Sequence, residues 1–245
     1  QLPNIFRRLF AEGAFSAAFV PLFNRKMAAE EGGGHAGAQR LANDTLSVFV
    51  PVLLIFSALM ITVMPWAIWL IDDFGEGGRT NATSISLARI AFPYLALISV
   101  MTLFGAVLNS ISKFAAVAFA PVLLNLCMIS AMLFGIWQGY GHDPAQIATM
   151  LAWAVTLAGI LQMAWLYLWA RRAGFHFALQ RPRLTGDVRE LGVLILPAVF
   201  GAGIYQISRF IDLFFLGRLE EGSFVFLALA DRLNQMPLGI VGIAL

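Results

Sequence analysis

The sequence predicts an all-α, polytopic transmembrane helix bundle, and three observations carry that prediction. Of its 245 residues, 60% are hydrophobic and only 12% are charged, with a mean hydropathy of +0.80. A soluble domain has about 25% charged and about 45–50% apolar residues, so a bilayer must solvate this excess of apolar surface. Four runs then contain no charged side chain: Leu46–Ile71, Ile90–Ser112, Phe114–Gly141 and Ile147–Ala170. Each meets the roughly 20 residues needed to cross about 30 Å of hydrocarbon. Finally, the loops between the runs alternate between rich and poor in Lys and Arg.

Three further spans complete the expected set. Leu191–Leu216 is a fifth apolar run, interrupted by Arg209 and Asp212. An N-terminal segment near Leu2–Phe23 contains Arg7, Arg8 and Glu12, and another begins at Phe224. The prediction is therefore seven helices, the last truncated. Strands are excluded, because the runs far exceed the roughly 10 residues of a membrane strand and lack sustained alternation. The chain starts at Gln1, without a start methionine, and stops within the apolar stretch Pro237–Leu245. Both ends read as cut from a longer protein.

Prolines fall inside several runs, at Pro51, Pro65, Pro93, Pro121, Pro197 and Pro237. Each would cost about 3 kcal/mol inside a soluble helix. In a membrane bundle, neighbouring helices or water can satisfy the freed carbonyls. Bent helices suit a protein that opens and closes; simple packing irregularity explains any one of them equally well.

Orientation follows from the loops. Arg25, Lys26 and Arg40 follow the first helix, Lys113 marks the third turn, and Arg171, Arg172, Arg181, Arg183 and Arg189 crowd the segment Arg171–Glu190. The intervening loops are acidic at Asp72, Asp73 and Glu76, or poor in bases across Gly141–Gln146 and Gly217–Ser223. The basic set is expected in the cytoplasm. The loops themselves are expected to be simple linkers.

Ionisable groups inside spans are costly, about 2.5–3.5 kcal/mol each on insertion scales, and call for a pairing or a functional explanation. Arg8 and Glu12 are spaced i,i+4 and can pair on one helix face, which leaves Arg7 over. The alternatives are a neutralised pair plus a snorkelling arginine, or a polar cavity for an anion gripped by planar guanidinium forks. Arg209 and Asp212, spaced i,i+3, form either a local ion pair or a cation site with Asp212 as a hard oxygen ligand. Asp231 and Arg232 are adjacent, do not face each other and need separate partners, which favours an aqueous cavity.

Catalytic patterns are missing from the sequence. His35, His142 and His176 are scattered in loops, with no H-E-x-x-H, G-x-S-x-G or phosphate-binding loop. The single cysteine, Cys127, excludes a disulfide or a multi-thiolate metal site within the chain. The net charge of +2 is too small to suggest nucleic acid.

The charged elements carry a family pattern. LPNIFRRLFAEGAFSAAFVP at Leu2–Pro21 resembles the second transmembrane helix of the MurJ/MviN family of lipid II flippases. AFAPVLLN at Ala118–Asn125 resembles their fifth helix, and ADRLNQMPLGIVGIAL at Ala230–Leu245 their eighth. The resemblance covers the whole chain. It implies a fragment of a two-lobed transporter truncated at both ends, with residues 1–190 in the N-terminal lobe and 191–245 beginning the C-terminal lobe. It further implies alternating access in the bacterial cytoplasmic membrane, with lipid II as the substrate and no covalent chemistry. Arg7, Arg8, Glu12 and Arg232 match the family's substrate cavity, and Asp212 matches a sodium ligand found in some members. Arg209 matches no family motif, and a cation beside Asp212 could replace the metal. No cofactor other than sodium is implied, and no oligomer. The partners expected are lipid II and membrane lipids. The competing readings are a sibling exporter of drugs or lipid-linked oligosaccharides, and a non-transporting membrane scaffold or membrane enzyme.

Overall fold

The computed structural model describes residues 14–29, 34–72 and 80–216, with isolated positions between 226 and 233; at 64–72, 80–84 and most positions of 198–216 it describes backbone alone. Among the described residues every regular element is helical. The elements are α1 (Ala14–Ala28), α2 (Gly34–Asp72), α3 (Thr80–Ala91), α4 (Pro93–Ser110), α5 (Phe114–Trp137), α6 (Pro144–Arg172) and α7 (Gly186–Leu216), with a short 3₁₀ turn at Tyr140–His142. Four helical stretches are long and apolar enough to cross a membrane: Gly34–Val63, Ile85–Ser110, Phe114–Trp137 and Ala145–Arg172. They overlap the four uncharged runs of the sequence. The helix expected over the fifth run is α7.

α4 occupies the centre, packed against α1, α2, α5 and α6. Its buried residues run along both sides of the helix, from Tyr94 and Leu95 to Leu108. α6 crosses behind it and touches α3, α4 and α5. The main core lies toward the end where α1 stops and α2 begins. There Phe15, Phe19, Leu22 and Phe23, spaced for one helix face, meet Leu41, Leu103, Leu108, Leu166 and Phe175. The rings form a continuous column, with centroids 5.2 Å apart for Phe15–Phe19, 5.5 Å for Phe19–Phe23 and 5.5 Å for Phe23–Phe175.

Local sequence sets the helix ends. Asp143 caps α6, its carboxylate accepting from the backbone N–H groups of Ala145 (3.0 Å) and Gln146 (3.2 Å). The Gln146 side chain donates back to the other carboxylate oxygen at 2.9 Å, and Pro144 at the first helical position has no N–H to orphan. At the far end Gly174 takes φ +92°, the left-handed conformation a glycine reaches without penalty, and Phe175 N–H closes onto Ala170 carbonyl at 3.0 Å. Gly34 serves a different need: a Cβ there would lie 2.5 Å from the Met27 carbonyl oxygen, so only glycine lets α2 start so close to α1.

Three boundaries differ from the sequence reading. α2 starts at Gly34 rather than Leu46, so Arg40 is helical; its 39 residues are about 58 Å long, well beyond the hydrocarbon thickness. α3 is a helix where a loop is expected, and the span Ile90–Ser112 is jointed at Phe92–Pro93. Phe92 keeps helical angles (φ −66°, ψ −36°) while Pro93 supplies no N–H, so the chain continues in the helical direction across a broken ladder. Finally, Arg25 and Lys26 form the last turn of α1.

Neighbouring side chains meet carbonyls beside the proline joints, as expected for membrane prolines. Thr156 of α6 donates to Ile90 carbonyl at 2.6 Å, near Pro93. Gln162 and Trp165 donate to the carbonyls of Ala120 and Ala116 at 2.7 and 3.0 Å, either side of the turn that Pro121 disrupts. All three donors lie on α6.

Candidate functional site

The basic segments meet at one end of the bundle, where α1, α4 and α6 finish and α2, α5 and α7 start. This end carries the most developed polar structure among the described residues. Its organising element is the overshoot of α2. Gln39, Asn43 and Ser47 recur every four residues and so form one stripe along the helix. The segment from Phe175 to Thr185, between α6 and α7, runs beside that stripe without regular secondary structure.

The stripe grips the segment's backbone. Gln39 treats His176 as a strand neighbour would: its Nε2 donates to the His176 carbonyl at 2.7 Å and its Oε1 accepts from the His176 N–H at 3.0 Å. Asn43 Oδ1 accepts from Ala178 N–H at 3.2 Å and from Gln39 Nε2 at 3.1 Å. Ser47 Oγ accepts from Gln180 N–H at 2.9 Å and donates to the Asn43 carbonyl at 2.7 Å. The register has a simple cause. Four helical residues rise about 6.0 Å, and two extended residues span about 6.6 Å, so i, i+4, i+8 on the helix matches every second N–H on the chain. Asn43 and Ser47 are buried, where an unmet backbone N–H would cost about 1–3 kcal/mol. The other side of the segment is apolar: Phe175 is buried and Phe177 packs against Phe104, with ring centroids 4.4 Å apart and the rings tilted by 41°. The expected linker is a docked strap.

Two ion pairs then join α1 to the start of α7. Arg25 Nη2 reaches both Glu190 oxygens, at 2.7 and 2.8 Å, and Lys26 Nζ lies 2.8 Å from Asp187. All four groups are substantially exposed, so each pair contributes about 0–1 kcal/mol. Their effect is positional: α1 and α7 are fastened at this end, and the helix that follows the Arg7–Arg8–Glu12 motif contacts the helix bearing Asp212.

Of the residues singled out from sequence, Arg7, Arg8, Glu12, Asp231 and Arg232 lie outside the described residues. Asp212 and Arg209 are on α7, one turn apart, with their side chains outside the description. Among the described residues no three His, Cys, Asp or Glu side chains cluster as a metal site. Gln39, Asn43 and Ser47 escaped the sequence reading. Their signal was the four-residue spacing at the foot of an apolar run, opposite the alternating Phe175, Phe177 and Leu179.

Long apolar helices jointed at prolines, interhelical bonds onto carbonyls and a strap docked at one basic end define a multi-pass integral membrane protein. The family model described as "Lipid II flippase MurJ" matches residues 1–245, and the chain belongs to that family. A probable lipid II flippase MurJ of Rhizobium tropici is 40% identical over 246 residues, covering 100% of this chain and 45% of that protein. The lipid II flippase MurJ of Burkholderia cenocepacia is 32% identical, covering 100% of this chain and 47% of that protein. A solved structure titled "Lipid II flippase MurJ, inward closed conformation" superposes with a TM-score of 0.68 at 20% identity, over 97% of this chain and 47% of that one. At that identity the match speaks to fold. The chain thus spans about half the length of the relatives it matches.

Proposed function

We propose that the protein containing this chain moves lipid II across the bacterial cytoplasmic membrane by alternating access, with Arg7, Arg8 and Arg232 holding the diphosphate and Glu12, the i,i+4 partner of Arg8, tuning its release. Family membership supplies the substrate class. The structural observation that supports the reading is the fastening of α1 to α7 by Arg25–Glu190 and Lys26–Asp187. α1 directly follows the Arg7–Arg8–Glu12 motif, and α7, from Gly186, carries the chain across residue 191, where the second lobe is proposed to begin. A ligand that grips both sides favours one arrangement only if it binds the two arrangements differently. Arginines from both segments provide that difference through charge-assisted hydrogen bonds, about 1.5–3 kcal/mol each. Binding and reorientation need no covalent step. The basic end described above would face the cytoplasm.

Complementation of a flippase-depleted strain by the full-length protein tests this reading. Arg→Lys at positions 7, 8 and 232 keeps charge but loses the bidentate fork, so lipid II exposure on the outer leaflet falls sharply while expression is unchanged. If Arg7→Ala, Arg8→Ala and Arg232→Ala all insert normally and still support growth, these arginines are structural and the site is elsewhere.

Sodium is a separate question at Asp212. Its carboxylate is a suitable hard ligand, and Arg209 one turn away is its competing partner. Asp212→Asn weakens sodium-dependent thermal stabilisation if the metal binds there. Arg209→Ala destabilises the protein regardless of sodium if the ion pair forms instead.

A further inference from the structure

Beneath the strap lies a cavity of about 480 Å³, walled by α2, α4 and α6 and flanked at the basic end by Phe177 and Leu179. Its walls include Leu46, Val50, Leu97, Val100 and Met163, and they are almost wholly apolar. These wall positions belong to the membrane-spanning stretches. These walls match a hydrocarbon chain, which is apolar and present at bilayer depth. Leu54 on α2 and Leu179 on the strap are exposed, at 58% and 64%, so the cavity opens sideways and at its basic end.

The strap places charge at that opening. Its backbone N–H groups at 176, 178 and 180 bond to α2, while Phe175, Phe177 and Leu179 point the other way, into the core and the cavity. Arg181 and Arg183 continue this odd-numbered series. Pro182 holds residue 181 in the extended region, which preserves the alternation. From Ala173 to Gly186 the sequence contains no Asp or Glu, and both arginines are exposed. Both follow Leu179, a residue of the cavity wall, by two and four positions along the strap.

We propose that this groove binds one anionic phospholipid of the leaflet on the basic side, an acyl chain filling the cavity and the phosphate held by Arg181 and Arg183. Binding of this lipid does not depend on the transport reading. A bound chain would pack against Phe177 and Leu179 and so brace the strap between α6 and α7.

Native mass spectrometry of the full-length protein with phosphatidylglycerol or phosphatidylcholine provides the test, together with a phosphatidylglycerol carrying a diazirine on one chain. The expected result is a tight phosphatidylglycerol adduct, weaker phosphatidylcholine binding, and crosslinks on α2, α4 or α6. Juxtamembrane arginines contribute roughly fivefold each toward anionic lipid, so Arg181→Gln with Arg183→Gln lowers that affinity by about 25-fold. Val100→Trp fills the groove and removes the adduct for both lipids. Leu126→Trp, on the lipid-facing side of α5, changes neither, and normal thermal unfolding of each variant shows that it is folded. Unchanged phosphatidylglycerol affinity in folded Val100→Trp, or crosslinks confined to α5, overturns the proposal. So does one-for-one displacement of the adduct by an undecaprenyl diphosphate, which would make the occupant an isoprenoid chain.

Discussion

α4 and α5 are consecutive, comparably apolar helices joined by a three-residue turn, yet they occupy opposite positions. Over the most apolar 18 residues of each span, 56% are buried in the span containing α4 and 6% in α5. Hydropathy reports the solvent a helix tolerates; burial depends on which faces find protein. α4 has close approaches on several sides, including Tyr94 and Leu97 against Gly159 of α6. α5 leans chiefly on α6 and turns Leu126, Ile129, Leu133 and Ile136 outward. In water so exposed a face would mark a partner. In a bilayer it is the surface that lipid covers, because lipid tails are as apolar as leucine.

Truncating one leucine on each helix gives the largest expected contrast. Leu103 is fully buried in the main core, whereas Leu126 is 51% exposed. In a soluble core Leu→Ala costs about 2–5 kcal/mol. Lipid supplies no hydrophobic transfer term, so Leu103→Ala should cost about 1–3 kcal/mol, the lost packing alone. Leu126→Ala should cost under about 0.5 kcal/mol, as surface changes generally do. Unfolding midpoints of the full-length protein in lipid nanodiscs measure both. Equal losses would show that α5 is covered by protein in the complete molecule.

A matched pair of glycines sharpens the contrast. A Cβ on Gly159 would meet the buried Tyr94 ring at 2.7 Å and Leu97 at 3.1 Å; one on Gly135 of α5 would meet the tips of Ile147 (2.7 Å) and Met150 (3.1 Å). Replacing a helical glycine with alanine gains about 1 kcal/mol of helix propensity, and overpacking costs about 1–3 kcal/mol. Ile147 and Met150 can swing away, so Gly135→Ala should be neutral or slightly stabilising. The Tyr94 ring is pinned between helices, so Gly159→Ala should lose about 1–2 kcal/mol. The same unfolding assay reads the two signs.

The contrast also marks what a sequence can disclose. Uncharged runs exposed the spanning cores of α2, α4, α5 and α6, because length and apolarity are local properties. Hydropathy failed where polar residues were helical for non-local reasons. α2 continues back to Gly34, and its Gln39 and Asn43 are matched by backbone groups of a strap about 135 residues distant. α3 was hidden by its polar TNATSIS start. Intramembrane charge drew attention to Arg7, Arg8, Glu12, Asp212 and Arg232, since such groups are expensive alone. The ladder of Gln39, Asn43 and Ser47 carries no charge and became visible only with the strap beside it.

The smallest expected effect concerns the polar contact between the lipid-facing helix and its neighbour. Gln162 is 1% exposed and donates to the Ala120 carbonyl at 2.7 Å, while its own Oε1 is buried without a partner. Interhelical hydrogen bonds in membranes average about 0.6 kcal/mol and reach about 1.7 kcal/mol. An unmet buried oxygen costs about 1–3 kcal/mol. Gln162→Met keeps the side-chain length while removing both contributions, and Trp165 still donates to Ala116 at 3.0 Å. Stability should therefore change by less than about 1 kcal/mol, and an increase would be in keeping with the removal of the unmet oxygen. A loss above about 2 kcal/mol would mean that α5 is held on α6 by polar anchors beside Pro121, and that its exposed position is fixed by hydrogen bonding rather than by packing.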